Sequence, residues 1–176
     1  MGITLSEAVE KMQATGDWSF EQDSLWSDQD IEEYESATNL QIPDQLAEVL
    51  WTYGWNGFNE PERYANFVAE FEDGSRSTHE VQVLVSAKKR FYDRYSMFIK
   101  APSWPDQFTL PMVFFGSADG GNAYLLMNGA DRTDNKVFIW ERASDPFGTG
   151  NNARGLGFVA PTLFEFFYNL RKDDEI

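Results

Sequence analysis

The chain has 176 residues, of which 42% are hydrophobic, and its 29 acidic against 14 basic side chains give a formal net charge of −15. A field of this sign repels nucleic acids and anionic membranes and attracts basic partners, so we expect no nucleic-acid partner. The absence of cysteine excludes disulfides and thiolate metal sites, and the single histidine excludes multi-histidine metal centres.

No segment of the sequence is apolar over the roughly 20 residues that a membrane-spanning helix needs. The first residues, MGITLSEAVEKMQ, are acidic and amphipathic, whereas a secretion signal is basic and then apolar. The opening Met-Gly with Ser6 matches the myristoylation pattern only superficially. We therefore expect a cytoplasmic protein without a membrane partner.

The first third of the chain carries the sequence signals of three helices. Thr4 and Glu7 have the spacing of a capping box, which predicts a short, peripheral first helix that ends near Gly16. Ser27 precedes acidic residues that favour a helix start, and Pro43 suits the first position of a third helix. The apolar stripe predicted for the third helix consists of Leu46, Val49, Leu50 and Tyr53.

The middle of the chain predicts a loop, a hairpin and a fourth helix. Trp55–Glu60 mixes aromatic and polar residues, which we interpret as a loop that is either a buried plug or an exposed binding tip. Tyr64–Phe71 and Val81–Val85 have the composition of strands, and an Asp-Gly turn follows the first of them. Ser86 then suits the N-cap of the fourth helix.

Three apolar runs between Leu110 and Trp140 are bounded by Gly, Asp or Asn, and we interpret them as the central strands of an antiparallel sheet. Ahead of them, Pro102 and Pro105 predict an irregular link. After them, Ala143–Gly157 is rich in glycine and asparagine, which predicts a flexible, functional loop. The stripe that predicts a final helix consists of Leu163, Phe166, Phe167 and Leu170.

The only histidine, His79, lies in a polar stretch ahead of an apolar run. We expect it to be exposed at a strand end, because a catalytic base needs a nucleophile nearby. A serine hydrolase is disfavoured, since there is no Gly-x-Ser-x-Gly elbow and the histidine has no evident serine partner. With 29 acidic residues, chance carboxylate pairs are expected and carry no information. The sequence therefore predicts no catalytic residue.

Two polar turns of the central region have more than one interpretation. Asp119 and Asn122 flank two glycines and would either contact a partner or bond to their own turn, with the glycines supplying positive φ. Asp131, Asp134 and Asn135 resemble an oxygen-rich cation loop but lack the full ligand set and the terminal glutamate. We therefore expect no metal and no cofactor.

The order of these elements is similar to that of a known family. The segments that carry the similarity are Ile31-Glu-x-x-Glu35, Leu40-Gln-Ile42-Pro43, Leu50-Trp-x-Tyr-Gly54, Leu110-Pro-x-Val-Phe-Phe-Gly116, Asp119-Gly-Gly-Asn-Ala-Tyr-Leu125, Val137-Phe-Ile-Trp140 and Leu163-Phe-Glu-Phe-Phe167. In order and spacing they resemble the SUKH superfamily of Smi1/Knr4-like domains. The chain departs from the usual pattern before Leu25, in the link around Trp104 and after Trp140.

The resemblance implies an α+β fold, with a central antiparallel sheet of about four to six strands flanked by helices. The length predicts a single domain over residues 1–176. The resemblance covers a core of about 28–171, and the large apolar side chains within residues 1–27 predict an N-terminal arm that packs over this core. Bacterial members of the superfamily are similar to immunity proteins that bind and block a toxin, often a nuclease, without chemistry of their own. Fungal members are linked to cell-wall synthesis and signalling.

The sequence thus leads to the hypothesis of a non-enzymatic immunity protein that binds a basic toxin. A regulatory interaction module and, less favoured, a small carboxylate-dependent hydrolase are the alternatives. The candidate contact residues are the acids Glu60, Glu62, Glu70, Glu72 and Asp73 around the first hairpin, Asp119, Asn122, Asp131 and Asp134 at the sheet ends, and the anchors Trp55, Phe58 and Trp104. Each aromatic anchor has an alternative place in the core, where large aromatic side chains are usually found.

Overall fold

The computed structural model describes residues 2–14, 18–21, 25–58, 65–84, 87–100, 108, 111–141 and 156–176, with the backbone alone for residues 19–21 and 54–58. In these ranges the helices are α1 (Leu5–Ala14), α2 (Asp28–Thr38), α3 (Asp44–Thr52), α4 (Lys88–Arg94) and α5 (Leu163–Tyr168). The strands are β1 (Trp18–Glu21), β2 (Gly54–Phe58), β3 (Asn66–Glu70), β4 (Arg76–Leu84), β5 (Met112–Ala118), β6 (Ala123–Asn128), β7 (Val137–Glu141) and β8 (Leu156–Ala160). A π-helical turn, Tyr95–Ile99, continues α4.

Six antiparallel strands, β3 to β8, close into a barrel in chain order. The closing contact between β3 and β8 is a single pair, Glu70 with Phe158. The α+β class and the antiparallel sheet with flanking helices are therefore confirmed. The closure of the sheet into a barrel was not predicted, because it depends on two strands that lie far apart in the sequence.

The predicted centre of the sheet is confirmed as the most buried part of the barrel. Every residue of β5 and β6 is buried. One face of these strands packs in the main core, and the other lies under a second apolar cluster that includes Phe98 and Trp140. At Gly116 a Cβ atom would lie 3.0 Å from Leu125 Cδ1 and 3.0 Å from the Val83 carbonyl oxygen, so close strand packing requires this glycine.

The first helix is confirmed in position, but the expectation that it is peripheral is wrong. Its start has the predicted capping box, in which the Thr4 backbone N–H donates to Glu7 Oε2 at 2.9 Å and the Glu7 N–H donates to Thr4 Oγ1 at 3.3 Å. Its inner face packs against α5 and contributes to the main core through Leu5, Ala8, Val9 and Met12.

Helices α2 and α3 begin as the sequence predicts, to within one residue. Ser27 is the N-cap of α2 in a complete capping box with Asp30. Pro43 is the N-cap of α3, not its first residue, with an extended ψ of 144°. The predicted inner stripe of α3 is buried at Leu46, Val49 and Leu50. The Trp26 N–H at the start of α2 donates to the Leu50 carbonyl near the end of α3, and this contact indicates that the two helices run antiparallel.

Four strands were not predicted correctly, and one of them, β1, lies in the segment that we expected to be an arm. β2 occupies most of the predicted loop Trp55–Glu60 and pairs with β1, a partner far back in the sequence. β4 begins at Arg76 instead of Val81, since its polar first half pairs with β3. β8 occupies the end of the predicted flexible loop, where Gly157 is a packing requirement. A Cβ atom there would lie 2.9 Å from the Phe71 ring.

Residues 101–107 and 142–155 and the predicted cap Ser86 lie outside the described residues.

Candidate functional site

The only histidine lies inside the barrel. On β4, Ser77, His79 and Val81 alternate on the inner side, with His79 opposite Phe67 and Ser77 opposite Ala69 of β3. His79 is 4% exposed, so the expectation of an exposed strand-end histidine is wrong. The reason is that β4 starts five residues earlier than predicted, which places residue 79 within the alternation of the strand.

Both ring nitrogens of His79 have polar partners from other elements. Nδ1 lies 2.6 Å from Asp119 Oδ2, and Nε2 lies 2.6 Å from Ser77 Oγ and 3.1 Å from Glu141 Oε1. The Ser77 hydroxyl also donates to Glu141 Oε1 at 2.8 Å. We call Ser77, His79, Asp119 and Glu141 the His79 cluster. It joins β4, β7 and the β5–β6 turn at one end of the barrel.

The glycine-rich turn between β5 and β6 aims Asp119 at the histidine. Gly120 and Gly121 have φ of 71° and 84°, and Asp119 itself has φ of 52°, a conformation that few residues other than glycine adopt. Asp119 Oδ1 accepts the Glu80 N–H at 2.9 Å, which holds the carboxylate against β4. Asn122 donates from Nδ2 to the Asp119 carbonyl at 2.8 Å and so bonds to its own turn. Asn122 thus bonds to its own turn, as one interpretation predicts, whereas Asp119 bonds to β4, which neither interpretation anticipates.

The His79 cluster contains the Ser–His–Asp sequence of contacts that serine hydrolases use. The expectation that the histidine lacks a serine partner is therefore wrong, since Ser77 lies two residues away on the same face of β4. Glu141 nevertheless changes the chemistry. Its Oε1 accepts the Ser77 proton and also lies within reach of Nε2, so the carboxylate competes with the imidazole for that proton. The arrangement is a closed ring of hydrogen bonds that links three parts of the barrel.

A sequence signal for this cluster is present but weak. Ser-x-His on one face of a strand places two of its members together, and this could have been recognised once the strand start was known. Asp119 and Glu141 lie 40 and 62 residues further along the chain, and only the barrel brings them to the histidine.

Acidic side chains on α2 separate into paired and unpaired groups. The half-buried Asp30 and Glu35 are paired with Lys88 at 2.5 Å and with Arg132 at 2.6 Å. The hydrogen bond from Lys88, together with those from Ser27, lowers the pKa of Asp30 to about 2. These two carboxylates tie α2 to α4 and to the β6–β7 connection.

Other carboxylates of α2 and α3 point into solvent. All five members of this group are exposed, and within the ranges that the structure describes none of them forms an ion pair. They are Asp28, Glu32 and Glu33 on α2 and Asp44 and Glu48 on α3. Asp44 and Glu48 lie one turn apart on α3, and the start of α2 is hydrogen-bonded to the end of α3 through the Trp26 N–H and the Leu50 carbonyl; we call Asp28, Glu32, Asp44 and Glu48 the α2–α3 acidic face. Two apolar side chains, Leu25 and Trp51, are also exposed there.

The acids predicted as contact residues lie at opposite ends of the barrel. Glu70, Glu72, Asp73 and Asp119 lie at or near the β3–β4 and β5–β6 turns, and Asp131 and Asp134 lie between β6 and β7 at the other end. The structure therefore does not bring them together in one surface.

Several of these acids also have local partners. Glu70 pairs with Arg76 at 2.8 Å, and Asp73 accepts the Ser75 N–H at 2.9 Å. Hydrogen bonds from the Thr133 side chain and backbone lower the pKa of Asp131. Asp134 accepts from Asn128 Nδ2 at 3.1 Å. These carboxylates stabilise the turns in which they lie.

The predicted aromatic anchors remain predictions. Trp55 and Phe58 belong to β2, where the backbone alone is described, and Glu60, Glu62 and Trp104 lie outside the described residues. Among the residues that are described, no three potential ligand side chains come together as a metal site. No helix in the described ranges has the length and apolar character needed to cross a bilayer.

Comparison with known proteins supplies the family. The model of the SMI1/KNR4 family (SUKH-1) matches residues 26–169, a span that runs from the residue before the α2 cap to the end of α5 and includes all six barrel strands. A search of curated proteins gave no match. The chain therefore belongs to the SMI1/KNR4 family (SUKH-1), and this membership supports a role in protein–protein interaction.

Proposed function

We propose that the protein is a non-enzymatic immunity protein that binds and neutralises a cognate basic toxin, such as a nuclease, in the cytoplasm. The observation that carries the proposal is the α2–α3 acidic face, whose carboxylates have no ion-pair partner among the described residues. A basic protein would supply the missing positive charges. Family membership favours a protein as the ligand.

The net charge of −15 determines how such a partner would be captured. Long-range attraction between an acidic and a basic protein raises the association rate, and salt weakens this attraction because it screens exposed charges. Each exposed ion pair adds little to affinity, at most about 1 kcal/mol. The acidic face therefore favours fast, salt-dependent association, and the lifetime of the complex requires additional contacts.

The His79 cluster supports the non-enzymatic part of the proposal. Its serine, histidine and carboxylates bond to one another, and the Ser77 hydroxyl donates its hydrogen bond to Glu141, whereas a serine nucleophile would donate it to the histidine. Inhibition of a toxin by occlusion of its active site needs no chemistry from the inhibitor. A second candidate function, a regulatory interaction module of the Smi1/Knr4 kind, is favoured by the same family match and needs no toxin.

Co-expression with a candidate basic toxin domain, such as a nuclease, separates the two candidates. We expect the protein to restore growth and to bind the purified toxin domain, with affinity that falls as salt is raised from 50 to about 500 mM. An unrelated acidic protein of similar net charge is the control for non-specific attraction. Failure to bind at low salt would remove the immunity function and leave the regulatory one.

A further inference from the structure

Exposed apolar side chains on the acidic side of the molecule indicate where a partner docks. Trp51 is 41% exposed and Leu25 is 36% exposed. We infer that these two residues are the apolar anchor by which the protein holds its basic partner, which then docks on the start of α2 and the end of α3. This inference rests on the proposed function and specifies which face carries it.

The backbone places the two residues side by side. The Trp26 N–H donates to the Leu50 carbonyl at 2.9 Å, so the peptide unit between Leu25 and Trp26 bonds to the peptide unit between Leu50 and Trp51. Leu25 and Trp51 therefore belong to two hydrogen-bonded peptide units, and both expose their side chains. Because their backbones are adjacent, we take the two exposed side chains as one apolar patch.

The neighbouring residues show that the core does not need Trp51. Leu50, which precedes it, is fully buried, and Trp26, which follows Leu25, is 4% exposed and packs edge-on against Tyr34 and Phe91. The adjacent core positions are thus already filled. A large apolar side chain that remains in solvent beside them costs solubility without adding to the core, and such positions often mark contact sites.

The charges around the patch define the partner. Glu48 lies one helical turn before Trp51 on α3, and Asp44 lies a further turn back on the same side. Asp28 begins α2 three residues after Leu25. The patch is therefore bordered by carboxylates that lack ion-pair partners in the described part of the chain. It fits a basic protein surface that has an apolar recess ringed by Lys or Arg side chains.

A tryptophan with an acidic border matches the anatomy of tight interfaces. A few central aromatic residues contribute most of the binding energy, and the surrounding polar rim excludes water. The carboxylates of the acidic face would raise the association rate, and Trp51 would lower the dissociation rate. Truncation of a central tryptophan costs 2 kcal/mol or more, which corresponds to about 30-fold or more in affinity.

The test is a titration, with Trp51→Ala, Leu25→Ser and a matched control, of the toxin domain that the wild-type protein neutralises in co-expression. Phe158→Ala is the control, because Phe158 is also 41% exposed but lies on β8 of the barrel. We expect Trp51→Ala to weaken binding about 30-fold or more through faster dissociation and Leu25→Ser to weaken it several-fold, while Phe158→Ala binds like the wild type. Trp51→Phe should recover part of the loss.

Two outcomes overturn the inference. If Trp51→Ala binds like the wild type while the reversal Glu48→Lys weakens binding, the acidic face is functional and the anchor is wrong. If Phe158→Ala weakens binding and Trp51→Ala does not, the partner docks on the barrel wall. If the wild-type protein itself does not bind, the proposed function fails. This result differs from both outcomes above, in which the wild-type protein binds. Thermal unfolding of each variant shows that a loss of affinity is not a loss of fold.

Discussion

Acidic residues at the barrel end and on the helical face differ in what they bond to. In the His79 cluster, Asp119 and Glu141 both contact a buried histidine, and their hydrogen bonds join three separate elements. On the α2–α3 acidic face, the carboxylates are exposed and have no ion-pair partner among the described residues. The residue types that suggest catalysis bond to one another inside the barrel, whereas the exposed acids are those that we propose to meet a partner. Burial and bonding, not residue type, separate the two roles.

Removal of the buried histidine should have the largest effect on stability. His79→Ala leaves Asp119 and Glu141 without the ring that both contact, and we expect a loss of about 3 kcal/mol in the free energy of unfolding. Urea denaturation measures it as a shift of the midpoint. Thr78→Ala, an exposed neighbour on the same strand, is the control and should change stability by less than about 0.5 kcal/mol. A loss below about 1 kcal/mol for His79→Ala would mean that the cluster is not a structural link.

Charge reversal on the α2–α3 acidic face should change the association rate and not the stability, which is the opposite of the effect expected for His79→Ala. We expect Asp28→Lys with Glu48→Lys to lower the association rate with the toxin domain about tenfold at 50 mM salt, because steering depends on these exposed charges. Stopped-flow mixing measures the rate, and the difference should shrink at high salt. Unfolding should stay within about 0.5 kcal/mol of the wild type. An unchanged association rate at low salt would count against a role of the α2–α3 acidic face in binding.

Loss of the serine hydroxyl separates structure from chemistry within the cluster. Ser77→Ala removes one hydrogen bond to Glu141 and one to His79, and we expect a loss of about 1 kcal/mol in stability. Toxin neutralisation, measured by growth rescue, should be unchanged. A variant that is stable but no longer neutralises the toxin would show that Ser77 acts chemically.

The smallest effect concerns Asp30 and depends on pH. Because Lys88 and Ser27 lower the pKa of Asp30 to about 2 in the folded state, its ionised form is favoured by folding. This contribution is complete above about pH 4, the ordinary pKa of an unfolded aspartate, and is lost as pH falls toward 2. Asp30→Asn should therefore be less stable than the wild type at pH 7, and the difference should vanish near pH 2. Asp28→Asn, on the same helical turn, is the control. A difference that is constant from pH 7 to 2 would contradict the pairing.

Much of the fold was predictable from local signals. The capping box at Ser27 and the stripe of α5 depend on residues three or four apart, and both are confirmed. The β1–β2 ribbon and the closure at Glu70 and Phe158 depend on residues far apart in the sequence, and no local pattern encodes them. β8 was not predicted, because a glycine such as Gly157 is compatible both with a flexible loop and with close packing of a strand.

The candidate site was predicted less well than the fold. The acidic character of the contact surface follows from composition, but the acids selected at the turns are largely bonded within those turns, as Asp131 is to Thr133. Trp51 was not selected, although it stands directly after Leu50 in the α3 stripe. Successive residues of a helix are turned by about 100° around its axis, which places Trp51 on the side away from the predicted stripe, and this geometry could have identified it as exposed.

Hydrogen–deuterium exchange on the complex with the toxin domain tests the central claim most directly. We predict slower exchange, relative to the free protein, in the segments 25–32 and 44–52, with no change in β4 and in the turn that contains Asp119. Protection confined to the barrel end around the His79 cluster, with the α2–α3 face unchanged, would contradict the account.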